Sequence, residues 1–163
     1  MTTPVHFIGL GEKGESWMKK YVVATVEEIT PGERKIVEIE GRSIGVFNIQ
    51  GTFYAIRNRC PHAGAPLCEG VVSGFVTSKS PGEYTYSKQG EILRCPWHQW
   101  EFDVKTGQSY FDPAKTRVRT YQAEVEAGCS LVGDDGTGMA KGPFVAETYQ
   151  VALEKEYVVV VID

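Results

Sequence analysis

The fold is best predicted from residues 34–57, which read RKIVEIEGRSIGVFNIQGTFYAIR. Three runs rich in β-branched and aromatic residues are separated by Gly41 and Gly51. This pattern is typical of short strands joined by tight hairpin turns. Strand-like runs with turn residues between them continue from residue 20 onward. Many short strands of this kind predict an all-β protein, built as a sandwich of small antiparallel sheets or as a small barrel.

The rest of the chain extends this prediction. Further strand candidates are residues 21–26, 71–77, 84–87, 91–94, 100–104, 118–126, 144–153 and 157–162. One segment, residues 12–20, favours a helix. Residues 78–90 and 128–143 are polar and rich in turn signals, and we interpret both as insertions, the first of them as a hairpin. We therefore expect an N-terminal extension, residues 1–19, followed by one domain, residues 20–163.

Composition and charge exclude several classes of protein. The 163 residues include 21 acidic and 17 basic side chains, which gives a net charge of −4. Nucleic-acid-binding surfaces are normally basic, so nucleic acid is not an expected partner. Residues 4–10 lack the features of a secretory signal, and the aliphatic run at residues 158–162 is too short to span a bilayer. We expect a cytoplasmic protein without membrane contact, whose four cysteines are ligands or buried thiols and not disulfides.

Two short motifs carry the chemistry, and they are Cys60-Pro61-His62 and Cys95-Pro96-Trp97-His98. Two thiolates and two imidazoles suit either zinc or an iron–sulfur centre. Structural zinc sites usually draw a pair of cysteines from one segment and a pair of histidines from another. Here each motif contributes one cysteine and one histidine. This spacing favours a two-metal cluster in which both cysteines bind one iron and both histidines bind the other.

With these motifs the sequence resembles the Rieske family, whose pattern is Cys-x-His followed by Cys-x-x-His. The resemblance runs over residues 20–126 and includes the context of both motifs, at residues 51–55, 60–67 and 100–107. It implies the Rieske iron–sulfur fold, in which two loops, here residues 58–70 and 94–107, form a cluster-binding subdomain. It also implies one Rieske-type 2Fe–2S cluster, bound by Cys60, His62, Cys95 and His98.

The resemblance further indicates a low-potential subtype. High-potential members carry a disulfide between the two loops, but the matching positions here are Ala65 and Trp97. Those members also use a Ser and a Tyr hydroxyl to hydrogen-bond sulfur, whereas this chain has Trp100 and Phe102. Donors to sulfur stabilise the reduced cluster, so we expect a potential in the lower part of the Rieske range of about −150 to +300 mV. Many members have glycine after the second histidine, and Gln99 in its place is strained if the position needs a positive φ.

Other residues suggest different sites on first inspection. Residues 9–14 match the dinucleotide fingerprint GxGxxG, but hairpins follow and not the strand–helix–strand unit that the fingerprint needs. We therefore expect no nucleotide there. His6 is expected at the surface, and Cys68 and Cys129 are expected to be thiols that bind no metal.

The resemblance implies an electron carrier. This would be a ferredoxin that passes single electrons from a flavoprotein reductase to the large subunit of a terminal oxygenase, or to another redox enzyme. The alternative is the small subunit of a multi-subunit reductase such as nitrite reductase. Oxygenase catalysis within this chain is not expected, because a mononuclear iron site needs two histidines and a carboxylate. Only His6 remains once His62 and His98 are assigned to the cluster. We therefore predict no catalytic residues.

Overall fold

Strands dominate the computed structural model, which describes residues 5–8, 19–128 and 155–162. They are β1 (His6–Ile8), β2 (Lys19–Thr25), β3 (Arg34–Ile39), β4 (Arg42–Ile49), β5 (Thr52–Arg57), β6 (Val71–Ser80), β7 (Glu83–Arg94), β8 (Glu101–Asp103), β9 (Thr120–Ala127) and β10 (Glu156–Ile162). Two short 3-10 helices are also described, Val26–Glu28 and Leu67–Glu69. The all-β fold class predicted from the sequence is confirmed.

The strands form two antiparallel sheets. The larger sheet has seven strands in the order β1-β2-β10-β9-β5-β4-β3 and is close to a barrel. The smaller sheet has three strands in the order β6-β7-β8. Both Cys/His motifs adjoin the smaller sheet, because the first precedes β6 and the second connects β7 to β8.

The β4–β5 hairpin lies between two hydrophobic cores. Side chains on one face of β4, including Ile44 and Val46, pack in the core of the seven-stranded sheet. On its other face, Phe47 packs in a second core that contains Cys60 and Cys95. Successive side chains of a strand point to opposite faces, so an unbroken apolar run such as β4 supplies both cores at once. The larger sheet thereby supports the loops that carry the two cysteines.

The β6–β7 hairpin accounts for the first polar stretch, residues 78–90. The two strands pair as far as Ser80↔Glu83, and the segments predicted as separate strands, residues 84–87 and 91–94, form the single strand β7. Lys88 and Gly90 of β7 have positive φ angles, 50° and 76°. They lie where the register between β6 and β7 is irregular. A bulge therefore replaces the predicted break in the strand.

The predicted helix at residues 12–20 is wrong at its C-terminal end. Lys19 and Lys20 begin β2 and pair with Ile162 and Val161 of β10, so their backbone groups belong to a sheet. Several predicted features lie outside the described residues: the rest of that helix (residues 12–18), the fingerprint at residues 9–14, the strand at residues 144–153, and the second insertion apart from Gly128, including Cys129. Within the described residues, no helix has the length and apolar character needed to cross a membrane.

Candidate metal centre

The first motif lies in a loop whose base is held by hydrogen bonds to neighbouring strands. The Asn58 backbone N–H donates to the Ser43 carbonyl at 2.9 Å, and the Asn58 side-chain oxygen accepts from the Cys68 backbone N–H at 2.7 Å. At the other end of the loop, Arg34 donates to the Gly70 carbonyl at 2.7 Å. Asn58 lies within the predicted loop, but its hydrogen bonds and those of the distant Arg34 were not predicted, because no local pattern indicates them.

Each motif folds into a turn that closes on its own cysteine. In the first, the Cys60 N–H donates to the Ala65 carbonyl and the Gly64 N–H donates to the Cys60 carbonyl, both at 2.8 Å. In the second, the Cys95 N–H donates to the Trp100 carbonyl at 2.8 Å. These hydrogen bonds therefore hold the backbone of both cysteines in place.

The two loops approach each other closely at Gly70. A Cβ atom on this residue would lie 1.8 Å from the Arg94 carbonyl oxygen, a distance that no side chain permits. The φ of Gly70 is −72°, so steric contact and not backbone conformation requires glycine here. Because Arg94 directly precedes Cys95, this contact helps to set the spacing between the two motifs.

The two cysteine thiols lie together in the apolar interior. Cys60 is 1% exposed and Cys95 is 0% exposed. Burial raises the pKa of the Cys60 thiol, and the adjacent Cys95 thiol adds to the increase. The backbone N–H groups of His62 and Ala63 act in the opposite direction, since they donate towards the Cys60 sulfur. These amides are ready-made hydrogen-bond donors to a thiolate, which is the form that binds a metal.

The two histidines form a second pair at the surface. His62 and His98 are both exposed, and their ring centroids are 4.7 Å apart with the planes at 72°. His62 is also stacked on Trp100, whose ring centroid is 4.2 Å away with an interplanar angle of 6°. The structure therefore brings all four predicted ligands to one end of the smaller sheet.

The four side chains are divided into two pairs. Within the described residues, no three His, Cys, Asp or Glu side chains are placed to hold one metal ion together. The donors are instead a buried thiol pair and an exposed imidazole pair, each drawn from both loops. Rieske centres need this division, because thiolates bind one iron and imidazoles bind the other.

Three further residues of the cysteine loops, Gln99, Phe102 and Cys68, were singled out in the sequence. Gln99 has a φ of 59°, so the left-handed backbone conformation is present at a non-glycine residue. Phe102 is fully buried and offers no hydroxyl, as expected for a low-potential centre, although the potential itself stays a prediction. Cys68 is a free, buried thiol, and burial raises its pKa to about 12.

A polar network beside the site was not predicted. The buried Asp103 accepts hydrogen bonds from Lys88 at 2.9 Å and Tyr110 at 3.0 Å, and from the backbone N–H groups of Lys105 and Thr106. Burial alone would raise the pKa of Asp103, but these hydrogen bonds outweigh it and leave the pKa lowered. Asp103 follows the second motif closely and could have been noticed, whereas its partner Lys88 has no sequence signal.

Comparison with known proteins supports the same assignment. A sequence model of the Rieske [2Fe-2S] domain matches residues 19–122. The ferredoxin component of the naphthalene 1,2-dioxygenase system of Pseudomonas aeruginosa is 27% identical over 112 residues, which cover 69% of this chain and 89% of that protein. The 3-phenylpropionate/cinnamic acid dioxygenase ferredoxin subunit of Escherichia coli (strain K12) is 30% identical over 111 residues, covering 68% and 90% respectively.

Solved structures agree at the level of the fold. The ferredoxin of carbazole 1,9a-dioxygenase from Nocardioides aromaticivorans IC177 aligns with a TM-score of 0.52 and 24% identity, over 84% of this chain and 93% of that one. A chain from the complex of reduced oxygenase and oxidized ferredoxin in carbazole 1,9a-dioxygenase aligns with a TM-score of 0.50 and 25% identity, over 66% and 94%.

The all-β fold and the match to the family model together place this protein in the class of iron–sulfur proteins. The chain belongs to the Rieske [2Fe-2S] domain family, and its cofactor is a Rieske-type 2Fe–2S cluster.

Proposed function

We propose that this protein is the ferredoxin of a Rieske oxygenase system. It accepts single electrons from a flavoprotein reductase and passes them to the oxygenase component, in the cytoplasm. The observation that carries this proposal is that the two loops together present a pair of exposed imidazoles and a pair of buried thiols. The two relatives described above, both ferredoxins of dioxygenase systems, support the choice of partner class.

We assign the cluster ligands to Cys60, His62, Cys95 and His98. The buried thiols of Cys60 and Cys95 are proposed to hold one iron away from water. The imidazoles of His62 and His98 are proposed to hold the other iron at the surface, where a partner can approach it. When bound, the cluster supplies reversible one-electron exchange. We further propose that residues 20–163 form one domain, with residues 1–19 as an extension and insertions at 78–90 and 128–143.

Substrate chemistry is assigned to the partner. The chain contains three histidines, and two of them are already assigned to the cluster. One histidine is too few for the mononuclear iron site of an oxygenase, which uses two histidines and a carboxylate. The role of this chain is therefore to bind the cluster, to exclude water from its thiolate side and to expose its imidazole side.

The ligand assignment is tested with histidine variants. In His62→Ala and His98→Ala we expect loss of the Rieske absorption and of the low average g-value in electron paramagnetic resonance (EPR), while circular dichroism keeps its β-sheet signal. His6→Ala is the matched control, since it removes the third histidine of the chain, and it should keep both signals. An unchanged spectrum in His62→Ala or His98→Ala would show that the ligands are wrongly assigned.

The partner assignment is tested by stopped-flow kinetics. The reduced protein is mixed with the oxygenase component of a Rieske dioxygenase, and separately with a sirohaem nitrite reductase. We expect rapid, saturable reoxidation by the oxygenase. Saturable reoxidation by the nitrite reductase alone would replace this proposal with the alternative of a reductase small subunit.

A further inference from the structure

Three aromatic rings form a continuous stack that begins at His62. The His62 and Trp100 ring centroids are 4.2 Å apart and their planes differ by 6°. The Trp100 and Phe111 centroids are 4.3 Å apart with an interplanar angle of 30°. Two rings this close to one indole overlap if they share a face, so His62 and Phe111 occupy opposite faces of Trp100. The indole is thereby enclosed between an imidazole and a phenyl ring.

The backbone fixes both partners of this stack. The Trp100 carbonyl accepts the Cys95 N–H at 2.8 Å, so the position of Trp100 is coupled to the second cysteine. The Phe111 N–H donates to the Ser109 hydroxyl at 3.2 Å, and the N–H of Tyr110 donates to the Glu101 carbonyl at 2.9 Å. The stack therefore connects a histidine of the first loop to residues in and after the second loop.

Core packing accounts for only part of the stack, because Trp100 packs against the second hydrophobic core whereas Phe111 lies outside both cores. Trp100 is only partly buried, and Phe111 is 69% exposed. The interior is filled by other side chains such as Phe102, which is 0% exposed. An exposed aromatic side chain gains little from burial, so its position on the indole calls for a local explanation.

The other histidine is held differently. His98 contacts Trp97 at a centroid distance of 6.5 Å and an angle of 82°, and it meets His62 at an angle of 72°. Among the described residues, neither of these rings is stacked face to face on the His98 imidazole. The two imidazoles therefore differ: a parallel ring covers one face of His62, whereas the ring contacts of His98 within the described part of the chain are edge contacts.

We propose that Trp100 is a positioning residue that fixes the orientation of the His62 imidazole by face-to-face stacking, and that Phe111 completes the stack from the solvent side. The inference rests on the proposed assignment of His62 as a cluster ligand. A parallel ring in van der Waals contact restricts rotation of the imidazole about its side-chain bonds. Groups that orient a ligand ring tune the metal that the ring binds.

The test compares substitutions along the stack in the cluster-containing protein. The variants are Trp100→Ala, Trp100→Phe, Phe111→Ala and, as the control, Tyr84→Ala, which removes an exposed aromatic ring outside both cluster loops. The readouts are the EPR g-values of the dithionite-reduced protein, its reduction potential, and the half-life of the cluster absorbance in the oxidised protein. Circular dichroism and thermal unfolding report separately on the fold.

We expect Trp100→Ala to shift the g-values, to broaden the EPR lines and to change the reduction potential. The cluster half-life should shorten about twofold to tenfold, the range that corresponds to loss of one aromatic stack. Trp100→Phe keeps a parallel ring and should restore most of each property. Phe111→Ala should change them in the same direction by a smaller amount. Tyr84→Ala should match the wild type, because the ring it removes is exposed and lies outside the stack.

Two outcomes overturn this inference while the proposed function stands. One is a Trp100→Ala or Phe111→Ala protein with g-values, potential and half-life equal to those of the wild type. The other is an equal change in Tyr84→Ala, which would indicate that loss of any exposed aromatic ring has the same effect. If Trp100→Ala does not fold, Phe111→Ala decides, because the exposed Phe111 lies outside both hydrophobic cores. A wild-type protein with no Rieske signal would instead overturn the proposed function, and this inference with it.

Discussion

At the scale of single residues, the second cysteine loop contains a backbone conformation that its side chain does not favour. Gln99 has a φ of 59°, in the left-handed region. Its backbone N–H donates to the Cys95 carbonyl at 3.0 Å, and its side-chain amide donates to the same oxygen at 3.3 Å. The turn that positions His98 requires this conformation, and Gln99 adds one weak side-chain hydrogen bond to it.

Gln99→Gly should stabilise the folded protein. A non-glycine residue in the left-handed region costs about 1–2 kcal/mol, and the greater freedom of glycine in the unfolded chain offsets part of the gain. We expect a net gain of about 1 kcal/mol and a rise in the thermal midpoint of about 2–4 °C. Scanning calorimetry at a fixed rate measures the change.

Gln108→Gly is the control for this substitution. Gln108 lies in a β-bridge with Arg117 and its φ is not positive, so the same chemical change should lower the midpoint. A Gln99→Gly midpoint below that of the wild type would contradict the strain argument.

At the scale of elements, the bulged β6–β7 hairpin is anchored to the segment that follows β8. Lys88, in the bulge, donates to Asp103 at 2.9 Å and to the Tyr110 hydroxyl at 2.8 Å. Phe75 of β6 meets the Tyr110 ring edge-on at 4.3 Å. The bulge therefore places Lys88 against the buried carboxylate of Asp103. These contacts connect the hairpin to the second cluster loop.

Lys88→Met should weaken this connection in a pH-dependent way. The folded-state pKa of Asp103 is lowered, so its carboxylate stabilises the fold at pH values above its unfolded pKa of about 3.9. This stabilisation is lost as the pH falls through the folded-state pKa. Removing Lys88 raises the folded pKa towards the unfolded one. We expect a loss of about 1 kcal/mol at pH 7, less than for a fully buried pair because the Lys88 side chain is 44% exposed.

Thermal midpoints at pH 7 and near pH 3 measure this effect, and the difference between wild type and variant should shrink in acid. Lys105→Met is the control, since it breaks the ion pair of Lys105 with Glu91 on the surface and should change the midpoint less. A difference that grows as the pH falls would contradict the proposed role of Asp103.

At the scale of the whole molecule, the site depends on two cores that share the β4–β5 hairpin. The tip of the other hairpin, β6–β7, belongs to neither core. Residues 76–89 are exposed throughout and contribute to neither core. A two-stranded hairpin that extends into solvent gains little stability of its own. The fold and the cluster site should therefore tolerate loss of the tip.

Replacing residues 77–85 by Asn-Gly tests this expectation, because Val76 and Tyr86 are directly paired and a two-residue turn can join them. We expect an unchanged Rieske EPR signal and a thermal midpoint close to that of the wild type. Val46→Ala, which removes two methyl groups from a side chain that is 0% exposed, should lower the midpoint more. A slower reoxidation by the oxygenase with an intact EPR signal would give the tip a role in partner binding.

Local patterns were sufficient to predict much of this protein. Alternating apolar runs and glycine turns gave the strands around residues 34–57, because strand period and turn conformation depend on neighbouring residues. The two motifs predicted the family for the same reason, since each supplies its cysteine and histidine within a few residues. The prediction failed where a strand depends on a distant partner: Lys19 and Lys20 are strand residues because they pair with β10.

Only the tertiary structure decided which distant residues support the site. The contacts of His62 with Trp100, Trp100 with Phe111, and Lys88 with Asp103 join separate segments of the chain. The same holds for Asn58 and for the close approach at Gly70. Such contacts leave no periodic or compositional trace, because they arise when strands that are remote in sequence bring their loops together. The candidate ligands could therefore be predicted from the order of residues along the chain. The contacts that support them could be seen only in the folded structure.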